Sequence, residues 1–357
     1  MDPPSIGACV GARARAWGYS RELVPVFRTL GTPPMPLKSP MTKPTSLLEG
    51  LRSRRLDIVS GKGGVGKSSV VAAMALALAR AGDRVLVVEV DGGCRLPSLV
   101  GGDVPAGGKG LVAPNIWGLF LDPTEVMDAY VLAQVPMRVL AQRIVESRIY
   151  QNFVAAAPGL KELLVLGSVM MVYEGRHDVA GERNFDHILI DAPATGHGVQ
   201  LLRVPSLVVD TFGEGPITRE ARNVVTMLRA PTTRLDIVTL AEEMPVNEAL
   251  ELEGAGEDLL GRPPGVMIAN GICPAPGGPS LEWARGSAAA SSDPLLDEAI
   301  RSVCWMGSRH ELNVAYLGEL KQRTKAPMFE LPFVFEADEQ SVVEHLARTI
   351  ESGGKFS

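Results

Sequence analysis

The sequence predicts an α/β fold built on a doubly wound, mostly parallel sheet. Three observations carry this. A glycine loop, Gly61-Lys62-Gly63-Gly64-Val65-Gly66-Lys67-Ser68-Ser69, stands between a short apolar run, Leu56 to Ser60, and a helical pattern, Lys67 to Ala81. Further short, continuously apolar runs recur along the chain, as strands buried on both faces of a parallel sheet do. Several of these runs end in a polar residue, Asp91, Asp191 or Asn270, and ligands of such sheets bind at the carboxyl ends of strands.

The glycine loop sets the chemistry. Glycines at 61, 63, 64 and 66 let successive backbone N–H groups turn inward around a phosphate, because no Cβ blocks the approach. The helix that follows adds partial positive charge at its N-terminus. Lys67 supplies a full charge at the β/γ-phosphates, and the Ser68 hydroxyl is placed to hold Mg²⁺. A phosphate loop needs one lysine, so Lys62 calls for its own explanation.

The bulk numbers fit this class. The chain has 357 residues, 46% hydrophobic and 21% charged, which suits one large α/β domain with insertions or two domains. The net charge of −6 is uneven. Residues 1–55 hold nine Lys/Arg against three acids, leaving −12 for the rest. An acidic body argues against nucleic acid as the main partner. No apolar run reaches the ~20 residues of a membrane helix. Four cysteines (Cys9, Cys94, Cys273, Cys304) form no CxxC pair, which points to a reducing cytoplasm.

Residues 1–50 are rich in Pro, Gly and Arg, lack periodicity, and read as a disordered basic extension. Met41 is an alternative start. From 51 to 357 the chain reads as one domain. Arg84 to Asp91 is a strand; Asp91 stands where a catalytic carboxylate would, or is a turn residue before Gly92-Gly93. Ile116 to Leu121 is a strand closed by Asp122-Pro123. An insertion of two or three helices follows over about 124–180, broken near Pro136 and Pro158-Gly159. Its apolar residues, Met127, Leu132, Val139, Leu160, Leu163, Leu164, Met170 and Met171, either pack on the core or line a groove for an apolar client. Asp186 to Asp191 is a strand ending in a second carboxylate, able to hold the Mg²⁺ water shell. Gly196 can bring its N–H against a γ-phosphate. Arg234 to Ala241 and Gly265 to Ala269 are strands. Asn270 offers donor and acceptor together, fit for an adenine edge or for capping a loop. Residues 271–292 read as loop, then helices near Pro294 to Ser302 and Arg309 to Thr324, a last strand Met328 to Leu331, and a last helix Asp338 to Ser352. No internal repeat is visible.

These residues resemble the ArsA-type ATPase family, which includes the arsenite-pump ATPase and the ATPase that delivers tail-anchored proteins to membranes. The wider class holds MinD, ParA and nitrogenase iron protein. The loop is similar to that family's lysine-bearing deviant Walker A loop, which implies a P-loop NTPase fold with a helical insertion. Asp191 to His197, with Phe185 to Asp191 before it and Leu201 to Pro205 after it, resembles the family's switch II stretch. The likeness covers about residues 55–350.

The resemblance implies an Mg-ATP-hydrolysing, dimeric enzyme of the cytoplasm. As catalytic residues it implies Lys62, Lys67 and Asp91, with Lys62 the signature lysine that reaches the partner subunit's phosphates. For ATP binding it implies Gly61 to Ser69, Gly196, Asn270 as adenine reader, and Pro332 in the later adenine loop. For Mg²⁺ it implies Ser68, Asp91 and Asp191. The partner would be a second copy or a paralogue, and the client a hydrophobic helix or membrane protein. Two alternatives stand beside this: an arsenite-efflux ATPase subunit, and a weakly hydrolysing or non-hydrolysing switch paired with a paralogue. The sequence departs from the family at switch I, where D-P-A-H is replaced by Asp91-Gly92-Gly93-Cys94. It also lacks the zinc CxxC, a recognisable arsenite cysteine set, and the cluster-binding cysteine of the iron-sulfur relatives.

Overall fold

The strand that feeds the glycine loop, β1 (Leu56–Ser60), lies in the middle of the sheet and is buried at every residue. A computed structural model describes residues 46–90, 93–135, 137–156, 159–193, 195–287 and 293–356. The other strands are β2 (Val85–Val90), β3 (Lys109–Ala113), β4 (Ile116–Leu121), β5 (His187–Asp191), β6 (Thr233–Leu240), β7 (Val266–Ile272), β8 (Met328–Pro332) and β9 (Lys355–Phe356). Their order is β3-β4-β2-β5-β1-β6-β7-β8-β9. All neighbours from β4 to β8 are parallel; β3 and β9 pair antiparallel at the two edges. The chain leaves β1 toward β2 on one side and later returns to β6 on the other. The crevice at that reversal is the expected place for a ligand.

Alternation along β1 sends Leu56 and Ile58 into one core and Val59 into the other. The Val59 core is closed by the helices Leu47–Arg52, Lys67–Arg80, Leu96–Val100 and Glu339–Glu351. The Leu56 core is closed by the helices Pro123–Gln134, Leu160–Tyr173, Thr195–Thr211, Pro216–Arg229 and Glu243–Leu260, among others. Both faces of the sheet are therefore dry, which is why its strands read as unbroken apolar runs.

Five features differ from the sequence reading. The helix Leu47–Arg52 crosses the boundary at 50: Ser46 caps it through the Glu49 N–H, and Leu47 and Leu51 are fully buried. Residues 1–45 lie outside the described residues. Among the described residues the insertion holds four helices, Pro123–Gln134, Arg138–Val145, Arg148–Ala156 and Leu160–Tyr173. The two helices expected between 294 and 324 are one, Pro294–Arg323. Gly307, inside this helix, is a packing residue: a Cβ there would meet Leu281 Cδ1 at 2.4 Å. Leu281 belongs to a helix, Gly278–Ser287, in the stretch that reads as loop. The edge strands β3 and β9 carry at most three consecutive apolar residues, too few to mark a strand.

Candidate nucleotide site

The glycine loop turns at the carboxyl end of β1. Gly61 runs against β6 so closely that a Cβ would meet the Val238 carbonyl oxygen at 2.2 Å. Gly66 has φ +85° and abuts the Asn270 amide, where a Cβ would come within 2.4 Å of Nδ2. Both positions demand glycine, one for the close approach and one for the left-handed backbone.

Inside the loop, Lys67 Nζ donates to the carbonyls of Gly61 and Lys62, each at 3.0 Å. Burial holds its proton affinity below that of an ordinary lysine, opposed by the charge of Asp191. Ser68 Oγ donates to Asp191 Oδ2 at 2.6 Å. Asp191 ends β5, and burial raises its pKa against the pull of Ser68 and Lys67. A hydroxyl and a carboxylate side by side are hard oxygen donors, the set that Mg²⁺ takes together with water and phosphate. The donor chemistry thus fits the metal. Among the described residues no group of three or more His, Cys, Asp or Glu is gathered to hold a metal ion.

Lys62 turns to its own chain. Its Nζ meets Glu248 Oε1 at 2.8 Å, on the helix Glu243–Leu260. Asn270, two residues before the end of β7, donates Nδ2 to the Val65 carbonyl at 2.9 Å, so here the amide braces the phosphate loop. Pro332 ends β8 beside β7, and the next residue, Phe333, donates its N–H to Ile272 O at 2.9 Å. Gly196 lies in the first turn of the helix Thr195–Thr211. Asp91 and Gly92 lie outside the described residues. The structure therefore brings together Gly61 to Ser69, Asp191 and Asn270.

Three features escaped the sequence reading. Glu248 has no local motif to mark it. Glu89 sits in β2, buried among valines, with Oε2 accepting the Arg95 N–H at 3.0 Å and Oε1 the Leu96 N–H at 2.6 Å. Burial lifts its pKa to about 6, against those two amide bonds. An acid inside the run Val85-Leu-Val-Val-Glu-Val90 was the available signal. The third is an aromatic ladder beside Pro332. Trp305 and Phe333 lie with centroids 6.0 Å apart, and Phe333 and Phe335 with centroids 4.9 Å apart, all edge to face.

The sequence model described as "Anion-transporting ATPase" matches residues 54–255, which contain the loop, β5 and the Glu248 helix. The chain belongs to the anion-transporting ATPase family. It is an ATPase by that membership. Among its relatives, ATPase BagA of Mycobacterium tuberculosis is 28% identical over 330 residues, covering 84% of this chain and 93% of BagA. ATPase ARSA1 of Chlamydomonas reinhardtii is 25% identical over 241 residues, covering 56% of this chain and 30% of its own. The arsenical pump-driving ATPase of Escherichia coli is 29% identical over 168 residues, covering 44% and 27%. Among the described residues of this family member, no helix is long and apolar enough to cross a membrane.

Proposed function

We propose that the chain hydrolyses Mg-ATP and uses ATP-dependent pairing of two copies, or of one copy with a paralogue, to handle an apolar client. One observation carries the hydrolytic part: Lys67 and the Ser68–Asp191 pair converge on one glycine loop at the centre of the sheet. The loop N–H groups and Lys67 bind the phosphates. Lys67 leaves two backbone carbonyls for phosphate oxygens, a stronger, charge-assisted bond. Ser68 and Asp191 would hold Mg²⁺, which when bound neutralises charge on the phosphate oxygens. Asp91 is proposed to orient the attacking water. The water oxygen bonds to the terminal phosphorus as the bridging P–O bond breaks, and the electron pair departs on ADP. The proton of the water ends on the released phosphate.

Lys62 is proposed to serve the neighbour's nucleotide, exchanging Glu248 for a phosphate when two copies meet. The client part is supported by exposed apolar side chains in the insertion and beside it: Val139, Leu140 and Ile149, with Leu207, Phe212 and Ile217. Solvent-exposed apolar groups gathered in one region mark interaction surfaces.

The test is Lys67→Ala. It is expected to lower turnover by roughly 10²–10³-fold, the range for removing one preorganised charge or donor. Turnover equal to the wild type would remove the site. Recovery of a hydrophobic helix on the immobilised protein should differ with and without ATP; equal recovery would remove the client role.

A further inference from the structure

We infer that Arg95 is a further catalytic residue, a cation of the same chain that meets the terminal phosphate, seated there by the buried carboxylate of Glu89. The inference rests on the reading of the loop as an ATP site.

The seat comes first. Glu89 stands opposite Asp191 in the β2–β5 register. Asp191 is the carboxylate that accepts from Ser68. Both oxygens of Glu89 take backbone N–H groups, of Arg95 at 3.0 Å and of Leu96 at 2.6 Å. The backbone of Arg95 is therefore fixed one strand away from the Ser68–Asp191 pair. Burial raises the proton affinity of both Asp191 and Glu89, and the charge of Arg95 is near enough to oppose that rise at each.

The side chain is able to move to a ligand. The Arg95 guanidinium pairs with Glu339 Oε1 at 2.9 Å, and the two side chains are 53% and 64% exposed. An ion pair so open to solvent is weak and easily exchanged. Glu339 begins the helix Glu339–Glu351, which lies along the helix Lys67–Arg80. Arg80, at the far end, pairs with Glu344 and Glu351. Arg95 thus stands at the end of that layer where the glycine loop lies. A triphosphate offers a planar guanidinium two oxygens at once, which one solvated carboxylate contact does not match.

The chemistry needs such a charge. Phosphoryl transfer spreads negative charge over the equatorial oxygens, and cations fixed beside them accelerate it. Arg95 forms no covalent bond and keeps its protons. It is also the first cation after Asp91 in the sequence, because Gly92, Gly93 and Cys94 bring none.

The experiment uses the full chain and three variants, Arg95→Ala, Arg95→Lys and Glu339→Gln. Turnover of Mg-ATP is measured beside calorimetric affinities for Mg-ADP and a non-hydrolysable Mg-ATP analogue. Arg95→Ala should lower kcat about 100-fold. It should weaken the analogue about tenfold, as lost charge-assisted bonds to one phosphate would, and leave ADP unchanged. Arg95→Lys should recover part of both losses. Glu339→Gln, which removes only the competing carboxylate, should keep turnover at or above wild type. Wild-type turnover in Arg95→Ala would overturn the inference. So would equal weakening of ADP and analogue, or the same losses in Glu339→Gln, since either assigns Arg95 a structural bridge. A wild type that binds neither nucleotide defeats the ATP reading itself. A wild type that binds but does not turn over leaves the ADP-against-analogue comparison to decide.

Discussion

Ser68 and Asp191 are joined across two neighbouring strands: the hydroxyl at the start of the helix Lys67–Arg80 donates to the carboxylate at the end of β5, 2.6 Å away. The bond ties the phosphate loop to the segment that runs on into the helix Thr195–Thr211. It also joins the only two described donors proposed for the metal.

Asp191→Asn tests that pairing. The amide keeps the size and can still accept from Ser68, but it loses the charge. The Mg²⁺ concentration for half-maximal turnover is expected to rise roughly 10–100-fold, the range seen when groups that tune a metal site are changed. Thermal stability should change little. An unaltered Mg²⁺ requirement would remove Asp191 from the metal set.

The contact between Asn270 and the loop yields a second prediction. Asn270→Ala removes the donor to Val65 O and leaves a carbonyl without its partner, at a cost of about 1–3 kcal/mol if that group stays dry. Affinity for both ADP and ATP should fall together, because the brace acts on the loop. Gly66→Ala should be more severe, since it adds a Cβ at φ +85° and against the Asn270 amide. Calorimetry on the two variants checks the order. A purine-selective loss in Asn270→Ala, with pyrimidine nucleotides unaffected, would instead assign the amide to the base.

The strands and the loop were legible because their signals are local. β1 and β4 occupy the residues that the apolar runs mark, Leu56–Ser60 and Ile116–Leu121. The glycine loop states its own chemistry through spacing. What stayed hidden depends on tertiary contact. The expected interruption between Ser302 and Arg309 does not occur, and Gly307 within that span packs against Leu281. Glu248 lies 186 positions from Lys62, and nothing in its helix announces the pair. Leu47 and Leu51 belong to one helical turn inside a Pro- and Arg-rich stretch, too short for periodicity to show.

The Lys62–Glu248 pair is itself open to test. Both side chains are about one-third exposed, 30% and 31%, so the bond stabilises the isolated chain by at most about 1 kcal/mol. If Lys62 must leave Glu248 to reach a partner's nucleotide, Glu248→Gln should favour that pairing by up to about fivefold, the same energy expressed as a ratio. Sedimentation with a non-hydrolysable ATP analogue measures it. Weaker association in the variant would show that Glu248 holds Lys62 in its working position rather than away from it.

At the opposite end of the strands a buried cluster governs stability against pH. Arg234 Nε meets Asp57 Oδ1 and its Nη2 meets Asp236 Oδ2, both at 2.7 Å, and both carboxylates are fully buried. One guanidinium faces two acids, and burial drives the Asp236 pKa up to about 7, with the charge of Asp57 adding to the rise and Arg234 opposing it. The folded chain therefore holds a proton that the unfolded chain, with an aspartate pKa of about 3.9, releases. Stability from this proton is complete below about pH 4 and is lost as pH rises toward 7. Asp236→Asn imitates the protonated acid at every pH. Relative to wild type it should gain on the order of 2 kcal/mol between pH 5 and pH 8. Urea midpoints of both proteins at the two pH values measure the difference, and parallel midpoints would place the proton elsewhere. Arg234→Met is the control: it removes the cation bonded to both acids and should destabilise by about 3–5 kcal/mol near neutral pH, less at pH 5, where Asp236 carries its proton.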